Sequence, residues 1–200
     1  MLPLSTILVL YLNYKEMKTR LLSLALAAVL TALSAAALPP GSETTISAIR
    51  MIYSNAQKAM KENGANGTPR YDTEVESHYV IPACGETTEV IHYFYDLEYD
   101  EAQSKYFNKV YFITRRYNIT FRQYYEEYLY NSAGELVFIL YREDDTNGRV
   151  TNLRYYFDDG ECFYYLNDGE AEPDAFAIGM QRAARAAALI EAFGLINSNI

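Results

Sequence analysis

From Thr73 to Leu166 the apolar and aromatic residues recur at every second position, in runs broken only by short turn sequences. A period of two marks β-strands with one covered face. The runs fall near Thr73–Ile81, Thr88–Asp96, Lys109–Ile119, Gln123–Tyr130, Leu136–Arg142, Val150–Phe157 and Cys162–Leu166. Between them stand Pro82 to Gly85, Asn131-Ser132-Ala133-Gly134, Asp144 to Gly148 and Asp158-Asp159-Gly160, all residue types that favour turns. Connections this short can join only antiparallel neighbours, because a parallel crossover takes a dozen residues or more. Asp100 to Phe107 reads as a helical turn or a wide loop.

The flanks change period. Thr45, Ile49, Ile52, Ala56, Ala59 and Met60 recur at three- and four-residue steps, widened by Ile46 and Tyr53. Ser42, Thr44 or Thr45 can cap this helix and Gly64 is placed to stop it. A second helix opens at Pro173-Asp174, carries Phe176, Met180, Ala183, Ala187 and Ile190 as its stripe, and can end at Gly194. The expected fold is α+β: a curved, largely antiparallel meander sheet of about six to seven strands, with an N-terminal and a C-terminal helix packed on one face. That architecture is similar to cystatin-like and NTF2-like folds, which host inhibitors and enzymes alike, so it implies no activity.

Two hairpins look alike. Tyr128 to Leu136 and Tyr155 to Cys162 share an aromatic strand end, an Asn/Asp-rich turn, Gly-Glu and an apolar restart. The pattern resembles the tyrosine-aspartate hairpin repeats of secreted bacterial proteins, and no function is carried over from it.

The first residues point to export. Lys18 and Arg20 precede the apolar run Leu21 to Leu33, small residues follow at Ser34-Ala35-Ala36-Ala37, and Pro39-Pro40 breaks any continuing helix. This is the order of a secretory signal over residues 17–37, with cleavage expected after Ala37. Residues 1–16 read as an upstream extension, Met17 being the natural start, and residues 38–200 as one secreted or periplasmic α+β domain without a membrane span. The whole chain has a net charge of −9, and loss of the leader makes it more acidic still. Such a charge repels phosphate backbones and anionic membranes, which excludes nucleic acid as an expected partner. In an oxidising compartment Cys84 and Cys162 are expected to form a disulfide, which requires the sheet to curl, to split, or to carry its first strand back beside the last.

Chemistry-bearing residues are sparse. His78 and His92 fall in strands without the further ligands a metal site needs, so no metal or cofactor is expected. Asp144-Asp145 and Asp158-Asp159 lie in turns, where aspartate is favoured for backbone reasons. Glu126 and Glu127 are adjacent in a strand and point to opposite faces. No nucleophile motif is present, and no catalytic residue is assigned. Tyrosine is the unusual component, with 20 in the chain and no tryptophan. The expectation is a non-catalytic binding domain that presents Tyr124, Tyr128, Tyr130, Tyr155 and Arg154 on an open sheet face. Its partner is another extracytoplasmic protein, with a glycan second. The alternatives are a small hydrolase drawing on Asp96, Glu98, Glu126, His92 and His78, and a purely structural envelope protein.

Overall fold

Every strand run expected from the sequence becomes a strand, and the element order is α1 (Ser42–Glu62), β1 (Asp72–Ile81), β2 (Gly85–Asp100), β3 (Lys105–Ile119), β4 (Arg122–Tyr130), β5 (Leu136–Asp144), β6 (Val150–Asp158), β7 (Glu161–Asn167) and α2 (Ala175–Asn197). The computed structural model describes residues 41–65, 71–167 and 174–197. The leader, its expected cleavage site and Pro173 lie outside the described residues. The strands form one sheet in the order β1-β2-β3-β4-β5-β6-β7, each pair antiparallel. The α+β meander is therefore as the sequence implies. Among the described residues no helix is long and apolar enough to cross a membrane.

The helices do not share a face. Phe112, Leu129, Phe138 and Tyr156 are consecutive partners across the sheet, and the Tyr53 ring of α1 packs on Phe112 and Phe138. One residue along each strand, Ile113, Tyr128, Ile139 and Tyr155 form the neighbouring row. These belong to a core with Ala186, Leu189 and Phe193 of α2. Successive strand residues point to opposite sides. The expectation of one covered face is thus corrected to a helix–sheet–helix sandwich.

A line of bulges crosses the sheet. Phe94, Phe112, Leu129, Phe138, Tyr156 and Tyr164 stand in one row, and the register shifts immediately beyond it at Phe94/Tyr95, Leu129/Tyr130 and Tyr156/Phe157. The extra residues are Tyr111 on β3, Val137 on β5 and Phe163 on β7. Bulges bend a strand and increase its twist, so alternate strands flex along a common line. The two similar hairpins are superimposable in this sense: Gly134-Glu135-Leu136-Val137 and Gly160-Glu161-Cys162-Phe163 each place a bulge on the fourth residue.

Cys84 and Cys162 are free, which overturns the expected disulfide. Cys84 lies in the β1–β2 turn and Cys162 in β7, with the intervening strands in strict sequence order. Five to six spacings of about 4.8 Å put the two roughly 25 Å from each other along the sheet. Cys162 is buried, and that burial pushes its thiol up to about 11. Iodoacetamide should therefore label Cys84 in the folded protein and Cys162 only after unfolding. A native mass that shows a bonded pair, with no labelling until a reductant is added, would contradict this arrangement.

Helix ends differ from expectation in two details. Gly41 occupies the N-cap of α1 without a side-chain cap, and Ser42 is already helical and buried. Gly194 does not end α2, which runs on to Asn197. Gly64 does follow the end of α1 in a left-handed conformation, as a helix stop requires.

Candidate functional site

The residues expected to make an open tyrosine face are mostly covered. Tyr128, Tyr130 and Tyr155 are buried beneath α2, and Tyr130 donates its hydroxyl to the Ala186 carbonyl at 3.2 Å. Tyr124 is half-buried on that same side, stacked on Tyr117 at 4.8 Å. Arg154 neighbours Tyr155 in β6 and therefore faces α1 instead, opposite Leu140 and Leu166. The sheet brings four of the five to one side and places Arg154 on the other. Open display is corrected to burial because each face of the sheet carries a helix.

Beneath α2 the tyrosines surround a carboxylate. Glu126 is fully buried and accepts hydrogen bonds from Tyr128 at 2.5 Å, Arg115 at 3.0 Å, Tyr117 at 3.2 Å and Arg182 at 3.2 Å. Arg185 is 3.6 Å away, and Arg115 also pairs with Glu89. Arg182 lies over the Tyr141 ring at 3.6 Å. Burial pushes the Glu126 carboxyl up, but the Tyr128 hydroxyl and Arg115 outweigh it and hold the group below its ordinary range. The cluster is a clamp between α2 and β3–β4, in which each acceptor is already satisfied.

The residues named for hydrolysis do not converge. Glu126 is in that clamp, His78 sits beside Glu76, and His92 bonds to Asp72. Asp96 and Glu98 alone share a pocket, one of about 280 Å³ that also includes Lys109. Burial and the neighbouring Glu98 raise the Asp96 carboxyl, whereas Glu98 pairs with Lys109 at 2.9 Å. Among the described residues no cluster of His, Cys, Asp and Glu is arranged to hold a metal ion.

What does stand open is the β2–β3 hairpin. The β1 ladder on β2 ends at Phe94, with one further bond from the Tyr95 amide to the Tyr71 carbonyl at 3.1 Å, and β4 meets β3 only from Phe112, so residues 96–109 project as a two-stranded arm beyond the buried Val110. Asp100 closes its tip by accepting from the Ala102 and Gln103 amides. Tyr99 and Tyr106 are directly opposed, with ring centroids 5.0 Å apart. Their exposures are 51% and 65%, beside Leu97 at 42% and Phe107 at 41%. At the base of the arm Tyr95 touches Phe193 of α2, and the exposed Leu195 and Ile196 follow in the same helical turn.

The strand expected over Thr88–Asp96 stops short of this arm, and β2 runs on to Asp100. The alternation Tyr95-Asp96-Leu97-Glu98-Tyr99-Asp100 continues the period of two without a break. The resulting β2 has 16 residues, well beyond the usual strand.

No family model, curated protein or solved structure matches this chain.

Proposed function

We propose that the protein is an exported, non-catalytic binding domain that engages an extracytoplasmic protein through its β2–β3 arm. The observation that carries this reading is the aromatic ribbon itself. A two-stranded hairpin is marginal in water, and this one holds Leu97, Tyr99, Tyr106 and Phe107 out to solvent. Exposed apolar groups rimmed by charge mark contact surfaces, and tyrosine is enriched there for its area and polar tip. Asp96, Glu98, Lys105 and Lys109 supply the charged rim on the arm. Its outer backbone edges are also open to pairing with an added strand.

The test compares the full chain with Tyr99→Ser/Tyr106→Ser as bait against secreted and envelope proteins. Both positions are exposed, so the two baits should melt alike. The expected result is a partner retained by the native arm and reduced at least about tenfold by the variant, as loss of interface aromatics commonly does. Identical capture by the two baits would remove the arm from the account, and glycan binding lost in the same variant would move it to sugars. The recovered native protein should begin at Leu38; an intact leader would refute export.

A further inference from the structure

A second surface feature lies where the end of α1 meets the start of β1 and the root of the arm. Two cavities there, of about 280 and 240 Å³, share Ala59, Asp96 and Tyr111 in their linings. Three tyrosines line the smaller one, Tyr71, Tyr95 and Tyr111, together with Asp96 and Glu62. All three tyrosines are half-buried, and the Tyr71 and Tyr95 rings stand 6.2 Å apart at an angle of 39°. Backbone contacts hold this frame. The Tyr71 amide donates to Asn63 Oδ1 at 3.1 Å, which ties the end of α1 to β1, and the Tyr95 amide donates to the Tyr71 carbonyl at 3.1 Å. Tyr111 is the extra residue of the β3 bulge, the kind of irregularity that re-aims a side chain. Burial, and then the nearby Asp96 and Asp72 carboxylates, push its hydroxyl up to about 12.

The charges of the lining select a ligand. Among the described residues no cationic side chain lines the smaller cavity. In the larger one the cation is Lys109, whose ammonium already donates to both Glu98 oxygens, at 2.9 and 3.1 Å. Glu62 pairs with Lys58 at 3.9 Å, out in solvent. Asp96 has no hydrogen bond or ion pair among the described residues, and Lys109 acts on it only through space. The unanswered charge is thus one carboxylate set among tyrosine rings. The face of an aromatic ring attracts a cation, and aromatic cages are a recurring means of holding quaternary ammonium groups. A metal ion needs several ligands in place, and no such cluster occurs among the described residues. A volume of about 240 Å³ is below the roughly 300–1,000 Å³ of drug-sized sites, which limits the occupant to a head group of a few carbons.

We infer that the hollow between the end of α1, Tyr71 and the root of the arm binds a small organic ammonium ion, its charge balanced by Asp96 and its methyl groups against the rings of Tyr71, Tyr95 and Tyr111. The ion is titrated without any partner protein, so the failure of this site and the failure of the arm as a docking surface are separate results.

The probes are choline, its uncharged isostere 3,3-dimethylbutan-1-ol, and acetate, each titrated into the full chain at fixed ionic strength. Binding is followed by NMR through the ring signals of Tyr71 and Tyr111 in tyrosine-labelled protein. Choline should shift both signals saturably in the millimolar range, the alcohol should bind at least about fivefold more weakly, and acetate should leave them unmoved. Asp96→Asn, an isosteric change at an exposed position, should bring choline to the level of the alcohol. Tyr111→Leu keeps an apolar wall without the π face, so it should weaken choline several-fold and leave the alcohol unchanged. Absence of saturable choline binding, equal binding of choline and the alcohol, or an affinity untouched by Asp96→Asn would each overturn the assignment. So would an equal loss of both probes in Tyr111→Leu, which would reduce the site to an apolar hollow.

Discussion

Replacing Glu126 with alanine is expected to destabilise the fold by on the order of 3–5 kcal/mol, measured as a lowered urea midpoint with an unchanged slope. Glu126 is fully buried, and the side chains of Arg115 and Arg182 are only 12% and 17% exposed. Removing the carboxylate leaves those cations between α2 and the sheet, with Glu89 the acceptor that remains for Arg115. The cost is thus the stranded charge rather than the lost hydrogen bonds. Glu143→Ala is the contrast: its partner Arg122 is 56% exposed, so loss of the ion pair should be nearly neutral, and what remains is the Tyr141 hydroxyl bond. The sign with pH follows from the lowered carboxyl. A group held below its ordinary 4.5 contributes fully above that value and loses its contribution as pH falls through the folded-state value. Native stability should therefore decline below about pH 4.5, and Glu126→Gln should lack that part of the decline. Equal acid profiles for the two proteins would mean that Glu126 is not the anchoring anion.

How far the sequence reveals this arrangement depends on what each pattern can carry. The strands were legible because alternation and turn residues agree along the whole run from Asp72 to Asn167. The number of covered faces is legible too, in the strand positions where apolar residues are consecutive rather than alternating. Tyr124-Tyr125, Tyr155-Tyr156-Phe157 and Val137-Phe138-Ile139-Leu140 put apolar groups on both sides of their strands, as a doubly covered sheet requires. The Glu126-Glu127 doublet does the same with charge, one carboxylate under each helix. The face of α2 was legible only in part: of the expected stripe, Ala183 and Ile190 pack against the core. Phe176, Met180 and Ala187 are exposed, and the buried side instead carries Ala175, Gly179, Arg182, Ala186, Leu189 and Phe193. A search for apolar periodicity passes over that stripe because it contains a glycine and an arginine. Each is there for a partner distant in sequence: Arg182 for Glu126, and Gly179 for Cys162 and Tyr155.

Gly179→Ala should destabilise the protein even though alanine is the better helix former. In a helix interior the exchange gains roughly 1 kcal/mol from backbone entropy alone. Here the added Cβ would stand 2.8 Å from Cys162 Sγ and 2.9 Å from Tyr155 Cδ1, closer than real contacts allow. Tyr155 is fully buried and cannot swing aside, so α2 must lift, at an overpacking cost of about 1–3 kcal/mol that grows as neighbouring contacts loosen. Gly194 supplies the internal control: it lies in the same helix with open space around its Cα, and Gly194→Ala should stabilise by up to about 1 kcal/mol. Adding Cys162→Ala to Gly179→Ala removes the nearer of the two obstacles. The pair should then lose less than the sum of the single changes, a coupling of roughly 1 kcal/mol between residues that touch. If Gly179→Ala raised the urea midpoint as Gly194→Ala does, the helix would have to stand off the sheet. The clamp at Glu126, three residues along the same face at Arg182, could not then close.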